Sequence, residues 1–187
     1  MKITFLATAY KETIDAYQFI SSLMLQKNPN WECIIHCDEK NEYIEECVNF
    51  FKSDKIKLIY NESPTSYWGH FNRKNTLNLV NTEFIIQTSI QDYYTPNTVD
   101  VLLSNLTDCD MVMYNCIHNH LNYDVLDSIP RQCKIDWGSF VIRTDIAKKV
   151  GINHPEHSFC DGIFVEECVK HPNIKTKKIN KILTVHN

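Results

Sequence analysis

Glycine is nearly missing from this chain, with 4 among 187 residues. Neither G-x-G-x-x-G nor G-x-x-x-x-G-K-[ST] occurs, so the backbone cradles of dinucleotide and P-loop sites find no support. No apolar run approaches the ~20 residues of a membrane span. The opening Met1-Lys2-Ile3-Thr4-Phe5-Leu6 turns polar too soon for a signal peptide and reads as a first strand. Positive charge is not in excess either: 19 basic residues against 23 acidic ones give a net charge of −4. That excludes general electrostatic attraction to nucleic acid, though not a locally recognised nucleic-acid substrate. The eight cysteines contain no C-x-x-C pair, and most sit among apolar neighbours, as in Cys33-Ile34-Ile35. Reduced, buried thiols in a cytoplasmic protein follow, with the host cytoplasm as the location for a viral chain. Frequent Asn, Ile and Lys fit an AT-rich genome, a viral one included.

What is present is a soluble composition, 43% hydrophobic and 22% charged, in a length suited to a single domain, residues 1–187. Apolar runs at residues 2–9, 31–37, 55–60, 84–86 and 109–115 read as strands. Between them lie helical patterns: Ile14, Tyr17, Ile20, Leu23 and Met24; then 41–52, 71–80, and a helix from Pro96 to about Leu106. This alternation predicts an α/β fold, a mostly parallel sheet flanked by helices. Ligands of such sheets bind beyond the carboxyl ends of the strands. Tyr10, Cys37-Asp38 and the stretch 89–92 should therefore meet at one crevice, with 117–134 as a loop across it. Gly151 suits a helix C-cap. Gly69, Gly138 and Gly162 stand beside polar or aromatic residues, where close backbone approach to a ligand favours glycine.

The segments Ile3-Thr4-Phe5-Leu6-Ala7-Thr8-Ala9-Tyr10 and Trp31-Glu32-Cys33-Ile34-Ile35-His36-Cys37-Asp38 each end a strand on a polar residue. They are followed by Trp68-Gly69-His70 with Arg73, by Glu83 through Pro96, by Asp136-Trp137-Gly138-Ser139 through Arg143, and by Asp161-Gly162. In this order and spacing the chain resembles the family 2 glycosyltransferases, of the GT-A fold, most closely their small single-domain bacterial and viral members. The resemblance implies nucleotide contacts from Ala7, Ala9, Tyr10 and Gly69, a base-edge hydrogen bond from Asp38, and a base or diphosphate contact from Arg73. Trp68, Trp137, Tyr93 and Tyr94 are candidate sugar or acceptor platforms, because aromatic faces pack against sugar C–H surfaces, with His70 and Asp136 as further candidate acceptor or sugar contacts.

The family's D-x-D motif supplies carboxylates to Mn²⁺ or Mg²⁺. Here the aligned tripeptide is Ser89-Ile90-Gln91, with a carboxylate one place later at Asp92. The resemblance therefore implies a site built from Gln91, Asp92 and the late His186, of reduced metal dependence. His118-Asn119-His120 offers either a separate metal pair or an acceptor contact. Asp161, beside an apolar wall and before a glycine, is the expected base for the acceptor hydroxyl, with Glu166, or Glu167, as the alternative.

The expected function is transfer of a sugar, with inversion, from a UDP-linked donor to an acceptor hydroxyl on a glycan, a small molecule or a modified DNA base. Two alternatives stay open. One is a nucleotide- or carbohydrate-binding protein that lost turnover, motivated by Ser89 and Gln91. The other is a metal-dependent phosphoester hydrolase using His118 and His120.

Overall fold

The computed structural model describes residues 1–10, 14–65 and 67–187. The elements in chain order are β1 (Ile3–Ala9), α1 (Ala16–Met24), β2 (Trp31–Cys37), α2 (Glu42–Phe51), β3 (Ile56–Tyr60), α3 (His70–Thr76), β4 (Phe84–Ser89) and β5 (Asp92–Tyr94). They continue as α4 (Thr98–Asn105), β6 (Met111–His118), β7 (Asp124–Leu126), β8 (Phe140–Arg143), α5 (Thr144–Val150), α6 (Cys160–Val169) and β9 (Thr176–His186). One sheet takes the order β3-β2-β1-β4-β8-β6-β9-β5, with β7 folded back onto β6. The pairings make β3, β2, β1, β4, β6 and β9 run in one direction, while β5, β7 and β8 run against them. The expected α/β fold with a mostly parallel sheet is what the chain forms.

Each residue of β1 is buried, because a central parallel strand is covered on both faces. Strand alternation sends Ile3, Phe5, Ala7 and Ala9 to one face, against Phe19, Ile20 and Leu23 of α1 and Leu102 of α4. Leu6 goes to the other face, with Ile34, Ile85, Trp137, Phe140 and Phe164. Burial of each such large side chain contributes about 1.5–3 kcal/mol. Asn41 caps α2, its Oδ1 accepting from the Ile44 N–H at 3.1 Å. Gly151 closes α5 as expected, its N–H donating to Ala147 O at 2.9 Å.

Three local differences bear on the site. The helix expected over 71–80 ends at Thr76 and tightens into a 3₁₀ turn over 77–79. The expected loop 117–134 is partly a hairpin, since β6 continues to His118 and β7 pairs back onto it. The last strand, β9, lies between β6 and β5, so that β5 forms the edge of the sheet on that side. Six of the eight free cysteines are buried, and Cys133 is exposed. Among the described residues no helix is long and apolar enough to cross a membrane.

Candidate active site

Because most strands share a direction, the carboxyl ends of β1, β4, β6 and β9 lie along one edge of the sheet. The reversed strands β5 and β8 begin at that same edge. A cleft of about 680 Å³ opens there, lined by Trp68, His70, Arg73, Ser89, Gln91, Asp92, His118, Asp136, Trp137, Asp161 and His186 among others.

One wall is polar. His118 and His186 are register partners on the parallel strands β6 and β9, with ring centroids 4.6 Å apart. Asp136 precedes the 3₁₀ turn that leads into β8; its Oδ1 accepts from the Gly138 N–H at 2.8 Å, and its Oδ2 lies 3.8 Å from His118 Nε2. One ligand atom from each of His118, Asp136 and His186 falls within 4.8 Å of the others. Behind them His186 Nδ1 contacts Asp92 Oδ1 at 2.6 Å. The other oxygen of Asp92 accepts from the Ser89 N–H at 2.8 Å and from the Thr88 hydroxyl. Gly138 fits between the two carboxylates: a Cβ there would stand 2.8 Å from Asp92 Oδ2. Burial lowers the pKa of His186, but Asp136 and Asp92 more than reverse this and raise it to about 9. Burial likewise pulls Asp136 upward, and His186, His118 and the Gly138 N–H hold it well below the usual carboxylate range.

The floor is cationic and aromatic. Arg73 is buried, donating to Trp68 O at 3.0 Å and Thr88 O at 2.8 Å, and its guanidinium lies 5.3 Å from the Trp137 ring centre. Burial lowers its pKa, opposed by Asp136, Asp92 and Asp161 among others. His70, also buried, is kept neutral by burial and by Arg73, with a pKa of about 3. Opposite stands Asp161, in the first turn of α6. Its own Oδ1 accepts from the Gly162 N–H at 2.7 Å. Burial and then the Asp136 charge raise its pKa to about 7, against the pull of Gly162 and Arg73.

The remaining sequence-predicted residues are placed as follows. The Ala7 and Ala9 side chains lie in the apolar core, and the Ala9 carbonyl accepts from the Asp38 N–H at 3.1 Å. Tyr10 follows β1, outside the cleft lining. Asp38 Oδ1 ties down the loop after β3, accepting from Thr65 N at 2.9 Å and Thr65 Oγ1 at 2.7 Å, with Asn61 and Asn72 at 3.3 Å. Gly69 has φ +73°, and a Cβ would lie 2.7 Å from Thr8 Oγ1, so packing against β1 already requires glycine there. Tyr93 lies outside the cleft lining: alternation along β5 turns it away from Asp92, and its hydroxyl donates to Asp15 Oδ1 at 2.7 Å. Tyr94 is buried, its hydroxyl donating to Thr88 at 2.7 Å. Trp137 is packed between Arg73 and Phe164 and supports the floor. Glu166 lies outside the cleft lining and clamps the crossing loop, accepting from Gln132 N at 3.0 Å. Gly162 serves that loop too, since a Cβ would meet Gln132 Cα at 2.4 Å. The sequence reading paired His118 with His120. The structure instead groups His118 with Asp136 and His186, an arrangement readable only once β6 and β9 are in register.

This architecture is shared with glycosyltransferases. S. aureus TarS 1-349 matches with TM-score 0.81 and 13% identity over 100% of this chain and 60% of that one. Its complex with UDP-GlcNAc matches with TM-score 0.80 and 14% identity over 99% and 58%. The mannosyltransferase PcManGT from Pyrobaculum calidifontis, in complex with GDP-Man and Mn²⁺, matches with TM-score 0.77 and 11% identity over 99% and 56%. The chain thus has the fold of these nucleotide-sugar transferases, the GT-A type, and spans about 60% of the TarS 1-349 chain. No protein-family profile and no curated protein sequence matches it.

Proposed function

We propose that the chain transfers a sugar from a nucleoside-diphosphate donor to an acceptor hydroxyl. The observation that carries this reading is the placement of Asp161 in the same cleft as the buried Arg73, where burial and the Asp136 charge raise its carboxyl pKa to about 7. A carboxylate poised near neutrality is suited to take a hydroxyl proton. The acceptor oxygen attacks the anomeric carbon, its proton passes to Asp161, and the bond to the diphosphate oxygen breaks with its electron pair leaving on the nucleoside diphosphate. A single displacement of this kind inverts the anomeric centre. Arg73 faces the charge that develops on the leaving group, and a bound Mn²⁺ or Mg²⁺ would neutralise part of the same charge. UDP is the first donor base to test, because UDP and UDP-GlcNAc occupy similar structures. A second reading, nucleotide or carbohydrate binding without turnover, draws on Ser89 and Gln91, which stand where the family carries carboxylates.

The test is nucleotide release from UDP-, GDP-, CDP- and dTDP-sugars over an acceptor panel, with wild type and Asp161→Asn. Acceptor-dependent release by wild type, lost in Asp161→Asn while nucleotide binding persists, is the expected result. Binding without release by the wild type would favour the second reading. Full activity in Asp161→Asn would remove Asp161 as the base. A ligand at 100 times its dissociation constant adds about 2.7 kcal/mol of stability, so thermal shift reads the binding arm.

A further inference from the structure

We propose that His118, Asp136 and His186 form a divalent-metal site of two imidazoles and one carboxylate, with Asp92 orienting His186 from behind instead of acting as a ligand. In the expected arrangement Gln91 and Asp92 would meet the cation beside His186. The structure gives Asp92 other work. It is fully buried, with one oxygen taken by Thr88 and Ser89 and the other by His186 Nδ1. A carboxylate on the far nitrogen of an imidazole fixes its tautomer and leaves Nε2 to face a metal, the arrangement common to metal-ligating histidines.

The three candidate ligands come from separate elements and converge because the sheet places them together. His118 and His186 end neighbouring parallel strands in register, and Asp136 enters from the turn before β8. Ligand atoms about 2.0–2.2 Å from one ion sit roughly 3.0–3.4 Å from each other. The observed separation of 3.8 Å between His118 Nε2 and Asp136 Oδ2, with the set inside 4.8 Å, closes to that value by small side-chain rotations. One contact must open: His118 Nδ1 accepts from the exposed His120 N–H at 3.2 Å, and a metal on Nε2 requires a proton on Nδ1. An exposed bond of that length is a weak restraint.

Two imidazole nitrogens favour borderline ions such as Co²⁺ or Zn²⁺ over Mg²⁺, which prefers an all-oxygen shell; the harder Mn²⁺ accepts the mixed set with lower affinity than Co²⁺ or Zn²⁺. Two histidines and a carboxylate also leave positions open toward the cleft. That those positions receive diphosphate oxygens rests on the transferase reading; the ligand set does not.

Co²⁺ titration of the chelator-stripped full chain, without nucleotide, is followed by visible absorption and calorimetry. One Co²⁺ per chain is expected, not displaced by excess Mg²⁺. His118→Ala and His186→Ala should each abolish the absorption band, Gln91→Ala should leave it unchanged, and Asp92→Asn should weaken binding about 10- to 100-fold. Because Asp92 is in the core, an independent measurement uses wild-type chain alone: pulsed EPR of bound Mn²⁺ in ¹⁵N-histidine-labelled protein counts two coordinated imidazoles. One imidazole, or a band lost in Gln91→Ala and kept in His118→Ala, would return the site to Gln91 and Asp92 and overturn the proposal, as would no bound Co²⁺. Nucleotide binding measured separately in EDTA keeps failure of the metal site distinct from failure of the transferase reading.

Discussion

His186 and Asp92 are register partners across the antiparallel pair β9 and β5, and their side chains meet at 2.6 Å, Nδ1 to Oδ1. The contact joins the end of the last strand to the start of β5. Asp92 has no exposed surface, and the Thr88 hydroxyl that donates to it is itself held by Tyr94 at 2.7 Å. Truncating Asp92 therefore strands several buried donors at once. Breaking a buried pair in this way costs about 3–5 kcal/mol. Asp92→Ala is expected to lower Tm by on the order of 10 °C, whereas Gln91→Ala, at the cleft surface, leaves it nearly unchanged. Equal melting of the two variants would show that the Asp92 contacts contribute little to folding.

On the proposed mechanism, Asp161 links transfer to stability with opposite signs. Its folded-state pKa of about 7 lies above the ordinary aspartate value of 3.8, so the folded chain holds the proton more tightly than the unfolded chain. The stability this group contributes is full below about pH 4 and declines as pH rises through about 7. Transfer needs the ionised form, so kcat/KM should climb through the same range. Asp161→Asn is expected to lose transfer yet melt higher than wild type near pH 8, with the difference vanishing near pH 4. A lower Tm for the variant at the higher pH would mean that Asp161 is a structural anchor of α6.

The parallel half of the fold is legible in the sequence because buried central strands are continuous apolar runs, as in β1 and β2. β9 is not: Thr-Lys-Lys-Ile-Asn-Lys alternates weakly and carries charge, and only its pairing with β6 makes it a strand. The same pairing decides the polar wall. His118 reads as the start of a loop until β6 is seen to continue beside β9, and then it stands opposite His186. Asp161 is readable because a charged residue between an apolar wall and a glycine at a helix start is a local feature, whereas Arg73, in the last turn of α3, comes only from the resemblance. The role of Asp92 depends on Thr88 and His186, one four residues away and the other at the far end of the chain.

At Gly162 two effects of known size compete. Alanine in a helix is favoured over glycine by about 1 kcal/mol. A Cβ at this position, however, would lie 2.4 Å from the Gln132 backbone Cα, which has no rotamer to yield. Overpacking against a fixed neighbour costs about 1–3 kcal/mol, so the clash outweighs the propensity. Gly162→Ala is expected to lower Tm by several degrees and to expose residues 127–134 to limited proteolysis by displacing the loop that Glu166 clamps. Resistance to cleavage with an unchanged Tm would show that the loop shifts without loss.

Trp68 stands at the rim of the cleft, 57% exposed, in a run where Tyr67 (φ 60°), Trp68 (φ 53°) and Gly69 (φ 73°) are all left-handed. A non-glycine residue held there is strained by about 1–2 kcal/mol, a cost of the same size as the roughly 2 kcal/mol that burial of the covered part of Trp68 contributes. Strain kept at a cleft mouth points to use of the side chain itself. Its carbonyl, by contrast, serves Arg73 at 3.0 Å and is retained in any substitution. Trp68→Gly relieves the strain but loses that burial and adds an entropic cost of up to about 1 kcal/mol for glycine, so its Tm should fall by no more than a few degrees, less than that of Trp68→Ala, which keeps the strain. Acceptor KM should rise for both Trp68→Gly and Trp68→Ala, with donor KM unchanged, because an aromatic face packs against sugar C–H surface. A fall in Tm with kinetics intact would reverse the assignment, making the indole part of the fold and not of the acceptor site.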